Sequence, residues 1–318
     1  MATHPPNRQI PRPKSSVITW LLDSDPAIRW QVMRDLTGQP DELVAAERSR
    51  VATEGWGAQL LALQAADGQW GDDISMPQWA SNLATLFLLR DMGLDPASGP
   101  ARTMVSLVRD KVTWGPEFGD SPFFEGEVEP CINGRTLALG GYFGEVSDQL
   151  LDRLLGEQLE DGGWNCEAER GSVRSSFNST ICVLEGLLEY ENARGATAPV
   201  TAARLRAHEY LLERRMFRSL STGEVINHNW TLFSFPPVWH YDVLWGLDYL
   251  RRAGVEPDER VAEAVALVAQ KQDQNGRWPL ENPHLDRVVL DMEGEAGEPS
   301  RWNTLRALRV LDWYSKGK

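Results

Sequence analysis

The chain has only three cysteines among 318 residues, and residues 1–16 contain no apolar stretch of the kind found in secretory signals. A small, odd number of cysteines without such a signal indicates free thiols in a reducing compartment. We therefore expect a cytoplasmic protein. Residues 1–16 include four prolines and several basic residues, so they are predicted to form a disordered tail.

Basic residues are scarce relative to acidic ones. The chain has 32 Lys and Arg against 46 Asp and Glu, which gives a net charge of -14. Proteins that bind nucleic acid contact phosphates through Lys and Arg, so this balance disfavours a nucleic-acid partner. No apolar run approaches the ~20 residues of a membrane span, so no transmembrane segment is predicted. The expected partner is a small molecule, and nothing in the sequence indicates whether a partner subunit is needed.

Tryptophan is abundant, with 13 in the chain, and three of these residues end a repeated pattern. In each copy Gln is followed three residues later by Asp or Asn, then by Gly, and two residues later by Trp. The copies occupy residues 64–70, 158–164 and 272–278. Asp-Gly and Asn-Gly favour tight turns because these residues tolerate positive φ. The spacing predicts a turn after a helix, with the Trp packed between helices as a structural contact.

Apolar residues between these turns recur with the period of an α-helix. One set of segments is apolar around much of its circumference, as expected of inner helices, and it comprises residues 27–36, 79–92, 133–143, 179–190, 241–253 and 302–314. A second, more amphipathic set comprises residues 17–23, 43–63, 101–111, 148–158, 200–215 and 258–271. Six helices of each kind predict an all-α fold, a single (α/α)6 toroid that spans residues 17–318 as one domain.

The three turns resemble the QW repeats of triterpene cyclases, so the chain is similar to squalene/hopene cyclases and protein prenyltransferase β subunits. This resemblance implies a terpene cyclase-like enzyme that holds an apolar, isoprenoid-type substrate in a central cavity and starts the reaction with an acid. The Asp-x-Asp-Asp motif of such cyclases does not occur here. Of the prenyltransferase zinc ligands, Glu129-Pro-Cys131 resembles the Asp-x-Cys pair, whereas the later His position contains Asn178.

Loop lengths predict where a site would lie. Connections from an inner to an outer helix are short, whereas those from an outer to an inner helix are long and rich in aromatic and charged residues. In an alternating ring all the long loops lie on one face, together with the N-termini of the inner helices, which favour anions. Long ordered loops are usually functional, so this face is the predicted site.

Catalytic candidates on this face are His240, Tyr241 and Asp242, together with Asp291 and Glu293. A His beside aromatic residues at a cavity mouth would act as a general base, oriented by a carboxylate. Asp291 or Glu293 would donate a proton if burial raised its pKa. The alternatives are a helix-capping role for the His and a solvated loop for the acidic run.

Substrate-binding candidates lie at or near the starts of inner helices, and they are Trp79, Arg135, Arg174, Arg301 and Trp302. The arginines would hold an anionic group or pair with loop carboxylates.

Metal-binding candidates are Cys131, Cys166 and His240, a set that suits zinc and leaves a fourth position open. The alternative is that both cysteines are small buried apolar residues.

Three functions therefore remain open. The chain is a terpene cyclase-like enzyme for an apolar substrate, a zinc-dependent lyase, hydrolase or transferase with a smaller polar substrate, or a non-catalytic ring that binds a ligand or partner.

Overall fold

The computed structural model describes residues 13–70, 78–283 and 290–317. Within these ranges the chain is all-α, and its only strands are β1 (Trp278–Pro279) and β2 (Pro299–Ser300), which pair antiparallel. The helices are α1 (Ser15–Leu22), α2 (Pro26–Asp35), α3 (Asp41–Ser49), α4 (Gly55–Ala62), α5 (Gln78–Met92), α6 (Gly99–Lys111), α7 (Pro130–Phe143), α8 (Asp148–Gly156), α9 (Phe177–Arg194), α10 (Ala198–Glu213), α11 (Val243–Arg252), α12 (Ala262–Gln270) and α13 (Arg301–Lys316).

The six predicted inner helices correspond to α2, α5, α7, α9, α11 and α13. Burial explains their apolar sequences, because α9 and α13 bury residues on several sides, whereas α8 buries a single stripe. The residue before the first turn of several of these helices accepts a hydrogen bond from a backbone N–H group through its side chain, which fixes where the helix begins. Asp25, Ser176, Asp242 and Ser300 play this part for α2, α9, α11 and α13.

The inner helices contact one another in chain order. Helix α5 packs on α7, α7 on α9, α11 on α13, and α13 on α2. Helix α9 reaches α11 through Glu185, which accepts the Trp245 indole N–H at 3.0 Å. Helix α2 reaches the end of α5 through Trp30, whose indole N–H donates to the Met92 carbonyl at 2.8 Å. Among the described helices, none combines the length and apolar character needed to cross a membrane.

The predicted outer helix over residues 43–63 is divided in two. Helix α3 ends at Ser49, a short 3-10 turn follows, and α4 begins at Gly55. Gly55 has a φ of +64°, and the Asp25 carboxylate lies against its backbone. Asp25 accepts the Trp56 N–H at 2.8 Å as well as capping α2. Helix α1 begins at Ser15, so the last two residues of the predicted tail are helical, and residues 1–12 lie outside the described ranges.

The three tryptophans of the repeated turns are fully buried and make the same two hydrogen bonds. Each indole N–H donates over 2.7 Å to a carbonyl ten residues earlier, at Leu60, Leu154 and Val268. Each backbone N–H donates to a side chain of the next inner helix, over 2.9–3.0 Å, at Asn82, Thr180 and Thr304. Each Trp therefore connects the outer helix before it to the inner helix after it.

Candidate functional site

A cavity of about 580 Å³ lies among the inner helices. Its walls come from α2, α3, α5, α7, α9, α11 and α13 and from the loop before α11. The lining residues are Trp30, Gln31, Arg34, Asp35, Arg48, Arg90, Asp91, Gly93, Tyr142, Glu185, Glu189, Phe235, Pro237, Trp245, Asp248, Arg251, Arg252, Trp302, Arg306 and Arg309. Most of them belong to the C-terminal halves of their helices, and the described parts of the long loops contribute Phe235 and Pro237.

The wall of this cavity is charged. Among the residues that the structure describes, it contains seven arginines, five carboxylates and five aromatic residues. The local excess is therefore positive, although the whole chain carries a net charge of -14. Such an excess of arginine in a concave site favours a ligand with negative charge.

Glu185 lies at the centre of the charged network. It is fully buried and bonds to Arg90 at 3.1 Å, to Arg252, and to the Trp245 indole. Burial acts to raise the pKa of the Glu185 carboxyl, but the charges of Arg252 and Arg90 outweigh it and bring this pKa to about 2. Glu185 is therefore a carboxylate at neutral pH and joins α5, α9 and α11.

Most of the wall arginines have structural partners. Arg34 pairs with Asp35, Arg90 with Asp91, and Arg251 with Asp248. These arginines lie in the last turns of α2, α5 and α11, where a positive charge complements the helix dipole. Their positions are thus explained without a ligand.

Arg48 and Arg306 differ, because neither pairs with a carboxylate of the described residues. Arg48 donates to the Gly93 carbonyl at 2.8 Å and to the Tyr142 hydroxyl at 3.1 Å. Arg306 donates to the Ser234 carbonyl at 2.9 Å. Both guanidinium groups therefore lie on the cavity wall without a close ion pair to a described carboxylate.

Three carboxyl groups of the cavity wall, Asp35, Glu185 and Asp248, have lowered pKa values. Desolvation acts to raise the pKa values of Asp35 and Asp248, but neighbouring arginines hold both below their usual range. Burial raises the pKa of Asp25, and it raises that of Glu127 to about 6, but neither group lines the cavity. Asp35, Glu185 and Asp248 are therefore ionised at neutral pH and are unsuited to donating a proton there.

The predicted catalytic cluster after the Phe-Pro-Pro-Val-Trp segment lies outside the cavity wall. His240 is exposed, with its ring 4.9 Å from that of Trp239. Tyr241 is buried and donates its hydroxyl proton to the Met216 carbonyl at 2.8 Å. Asp242 is buried and accepts the Trp245 N–H at 2.8 Å, which caps α11. Burial raises the pKa values of Tyr241 and Asp242.

The predicted acidic run also lies outside the wall. Asp291 is exposed, whereas Glu293 is half-buried. Glu293 accepts the Ser300 hydroxyl at 2.9 Å and the Trp302 N–H at 3.0 Å, at the start of α13. Burial raises the pKa of the Glu293 carboxyl.

The structure separates the predicted substrate-binding residues. Trp302 lines the main cavity, and Arg135 lines a small adjoining cavity of about 20 Å³, with its guanidinium 4.0 Å from the centre of the Phe87 ring. Arg174 is exposed. Arg301 stacks on the Trp20 ring at 4.7 Å. Trp79 belongs to α5, but its side chain lies outside the described residues.

Two of the predicted metal ligands lie together, and the third place is taken by a different residue. The ligand atoms of Glu129, Cys131 and Cys166 lie within 4.8 Å of one another, whereas His240 is not in this group. Cys131 donates to the Glu129 carboxylate at 3.5 Å. A hydrogen bond between the thiols raises the pKa of Cys131 and lowers that of Cys166. Two thiols and a carboxylate are a donor set that suits zinc.

Sequence reasoning missed most of the cavity wall, including Arg48, Glu185, Arg306 and Arg309. One signal was available: α13 contains charged residues four and seven positions after Trp302, inside an otherwise apolar inner helix. Charge at an inner position of a buried helix indicates a paired network or a polar cavity.

No family model and no curated protein matches the chain. Similar solved structures include the type II terpene cyclase MstE from Scytonema in its apo form, with 16% identity, 93% of this chain and 95% of that chain covered, and a TM-score of 0.48. A variant of this cyclase in complex with merosterolic acid A has 16% identity, coverage of 94% and 95%, and a TM-score of 0.47. With TM-scores below 0.5, these likenesses carry no argument about what this chain binds.

Proposed function

We propose that this chain is a small-molecule-binding protein built as an (α/α)6 toroid, with a polar, charged ligand in its central cavity. The observation that carries this proposal is the cavity wall, with its seven arginines and five carboxylates around about 580 Å³. A volume of this size is typical of sites for small organic ligands.

The charged wall favours a polar ligand over the apolar isoprenoid that the sequence resemblance implies. A hydrocarbon in this cavity would strip water from the arginines without replacing its hydrogen bonds, which is unfavourable. Acid-initiated chemistry would also need a proton donor, and the lowered pKa values of Asp35, Glu185 and Asp248 do not suit these three wall carboxyls to that role. A terpene cyclase-like reaction that uses Asp291 or Glu293 stays a prediction from the sequence alone.

The test is a thermal-unfolding screen that compares polar small molecules with an isoprenoid alcohol such as geranylgeraniol. We expect the midpoint temperature to rise by a few degrees with members of the polar set, because binding to the folded state stabilises it. Arg48→Gln removes a charge from the wall and should reduce this shift. Arg50→Gln is the matched control, since Arg50 is exposed and pairs with Glu54 outside the cavity.

Stabilisation by geranylgeraniol alone would contradict the proposal and restore the apolar interpretation. Equal loss of the shift in both arginine variants would mean that the ligand does not bind in this cavity.

A zinc-dependent function is a second candidate, and the grouping of Glu129, Cys131 and Cys166 supports it. Bound zinc would act as a Lewis acid, and these three side chains would hold it with one position open. We expect elemental analysis to find about one zinc per chain, lost in Cys131→Ala and retained in Cys182→Ala. Cys182 is the matched control because it is buried outside this group. Zinc-free protein from zinc-supplemented cells would remove this candidate.

A further inference from the structure

One stripe of α13 forms part of the cavity wall. Trp302, Arg306 and Arg309 are four and three residues apart, a spacing that places them on the same face of a helix. All three line the cavity. They are also almost fully buried, with exposures of 2%, 6% and 7%.

Each residue of this stripe has an N–H donor that no hydrogen bond satisfies. The donors are Trp302 Nε1, Arg306 Nη2 and Arg309 Nε, and none has a partner among the described residues. An unpaired buried donor is unfavourable, and a charged one more so, because it loses its hydrogen bonds to water without replacing them. Three such donors on one side of one cavity can all donate to an acceptor that a ligand supplies there.

The chemistry of the stripe limits what this acceptor is. Indole and guanidinium groups only donate hydrogen bonds, and two of the three groups carry positive charge. Arg309 already pairs with Asp35, whereas Arg306 has no carboxylate partner among the described residues. A carboxylate or phosphate accepts several hydrogen bonds at once and supplies the opposite charge.

The surroundings of the stripe also include apolar surface. The Phe235 ring stacks on Trp302 with centroids 4.3 Å apart and 9° between the planes, and Trp245 lines the same cavity. These rings would pack against an apolar or aromatic part of a ligand.

We propose that the Trp302, Arg306 and Arg309 stripe binds the oxyanion of a small molecule, a carboxylate or phosphate carried on an aromatic or apolar body. This inference rests on the proposed function, because it assigns the charged group of the ligand that the cavity holds. It adds the sign of that charge and the residues that bind it.

The test is isothermal titration of the full chain with benzoate, phenyl phosphate, inorganic phosphate and benzamide. Benzamide is the neutral counterpart of benzoate, and inorganic phosphate lacks the aromatic body. We expect one of the aromatic anions to bind at least about tenfold more tightly than benzamide, since a charge-assisted hydrogen bond contributes about 1.5–3 kcal/mol. The preferred anion then identifies the oxyanion as carboxylate or phosphate.

Arg306→Gln should weaken binding of that anion by about 10- to 100-fold and leave benzamide binding unchanged. Arg204→Gln is the matched control. Arg204 is also largely buried, at 11% exposure, and also has unpartnered donors, but it pairs with Glu191 and does not line the cavity. Arg204→Gln should change the affinity for the preferred anion by less than about twofold. Arg306→Lys, which keeps the charge but loses the planar donor pair, provides a second variant if Arg306→Gln fails to fold, and it should also weaken binding.

Three results would overturn the inference: no binding of either aromatic anion, equal binding of benzoate and benzamide, or equal weakening by Arg204→Gln. Binding of inorganic phosphate as tight as that of phenyl phosphate would overturn the assignment of an apolar body. A charged ligand whose binding depends on Arg48 but not on Arg306 would leave the proposed function intact and overturn this inference alone.

Discussion

The buried carboxylate of Glu185 holds neighbouring helices together. Its carboxylate bonds to Arg90 of α5 and to Trp245 and Arg252 of α11, so a single side chain of α9 links three helices. Removing one partner of a buried charge pair leaves the other charge buried without a counter-charge. The free-energy cost of that state is larger than the net stabilisation that the intact pair provides.

We expect Glu185→Gln to lower the free energy of unfolding at pH 7 by about 3–5 kcal/mol, because Arg90 and Arg252 would lose their shared counter-charge. Urea denaturation followed by circular dichroism measures this change. Glu54→Gln is the matched control, since Glu54 pairs with Arg50 at 2.6 Å on the surface. A similar loss in both variants would contradict a special role for the buried network.

The effect of Glu185→Gln on stability should depend on pH. The folded pKa of Glu185, about 2, lies below the value of about 4.3 in an unfolded chain. A lowered pKa stabilises the fold above the unfolded pKa, and this contribution is lost as the pH falls towards 2. The stability difference between wild type and Glu185→Gln should therefore shrink between pH 4.3 and pH 2. A constant difference across this interval would contradict the assignment.

Sequence could not reveal this residue, although it reveals the helix around it. Glu185 lies in an apolar stretch of α9, and only the folded arrangement brings it next to arginines 95 and 67 residues away. The same limit applies to Arg306, whose partners and unpaired donor depend on which face of α13 meets the cavity. Helical periodicity identifies buried positions but does not state what a buried charge contacts.

At the level of elements, the break between α3 and α4 is the largest departure from the predicted helices. Helical periodicity continues from residue 43 to residue 63, which is why one helix was predicted. The break arises from a long-range contact, because the Asp25 carboxylate both caps α2 and accepts the Trp56 N–H. Gly55 provides the space and the positive φ that this contact needs.

We expect Gly55→Ala to destabilise the protein by several kcal/mol, because its Cβ would lie 1.9 Å from the Asp25 carboxylate. Gly38→Ala is the matched control, since Gly38 also has positive φ, +58°, but nothing lies within 4 Å of an added Cβ. The control should lower the free energy of unfolding by only about 1–2 kcal/mol, which is the cost of placing alanine in a left-handed backbone conformation. Urea denaturation of both variants measures the difference, and equal losses would show that Asp25 moves aside without cost.

At the scale of the whole molecule, the turns and periodicity predicted the all-α fold, and the described residues confirm it. The turns allowed this prediction because each is a local signal of a few residues, at Trp70, Trp164 and Trp278. The resemblance implied a central cavity, but the charged wall of this cavity was not predicted, because the argument from long loops selects the face with the helix N-termini. The structure instead builds the cavity mainly from the C-terminal halves of the inner helices.

The short hydrogen bonds of the three buried tryptophans have a consequence for how the chain folds. Each indole closes a loop of only ten residues, and loops of this length close in about 10–100 ns. By contrast, Arg309 of α13 bonds to Gln31 of α2 across 278 residues, where the entropic cost of loop closure is much larger. We therefore expect the helix pairs to form first and independently along the chain, and the contact between the two ends to set the overall folding rate.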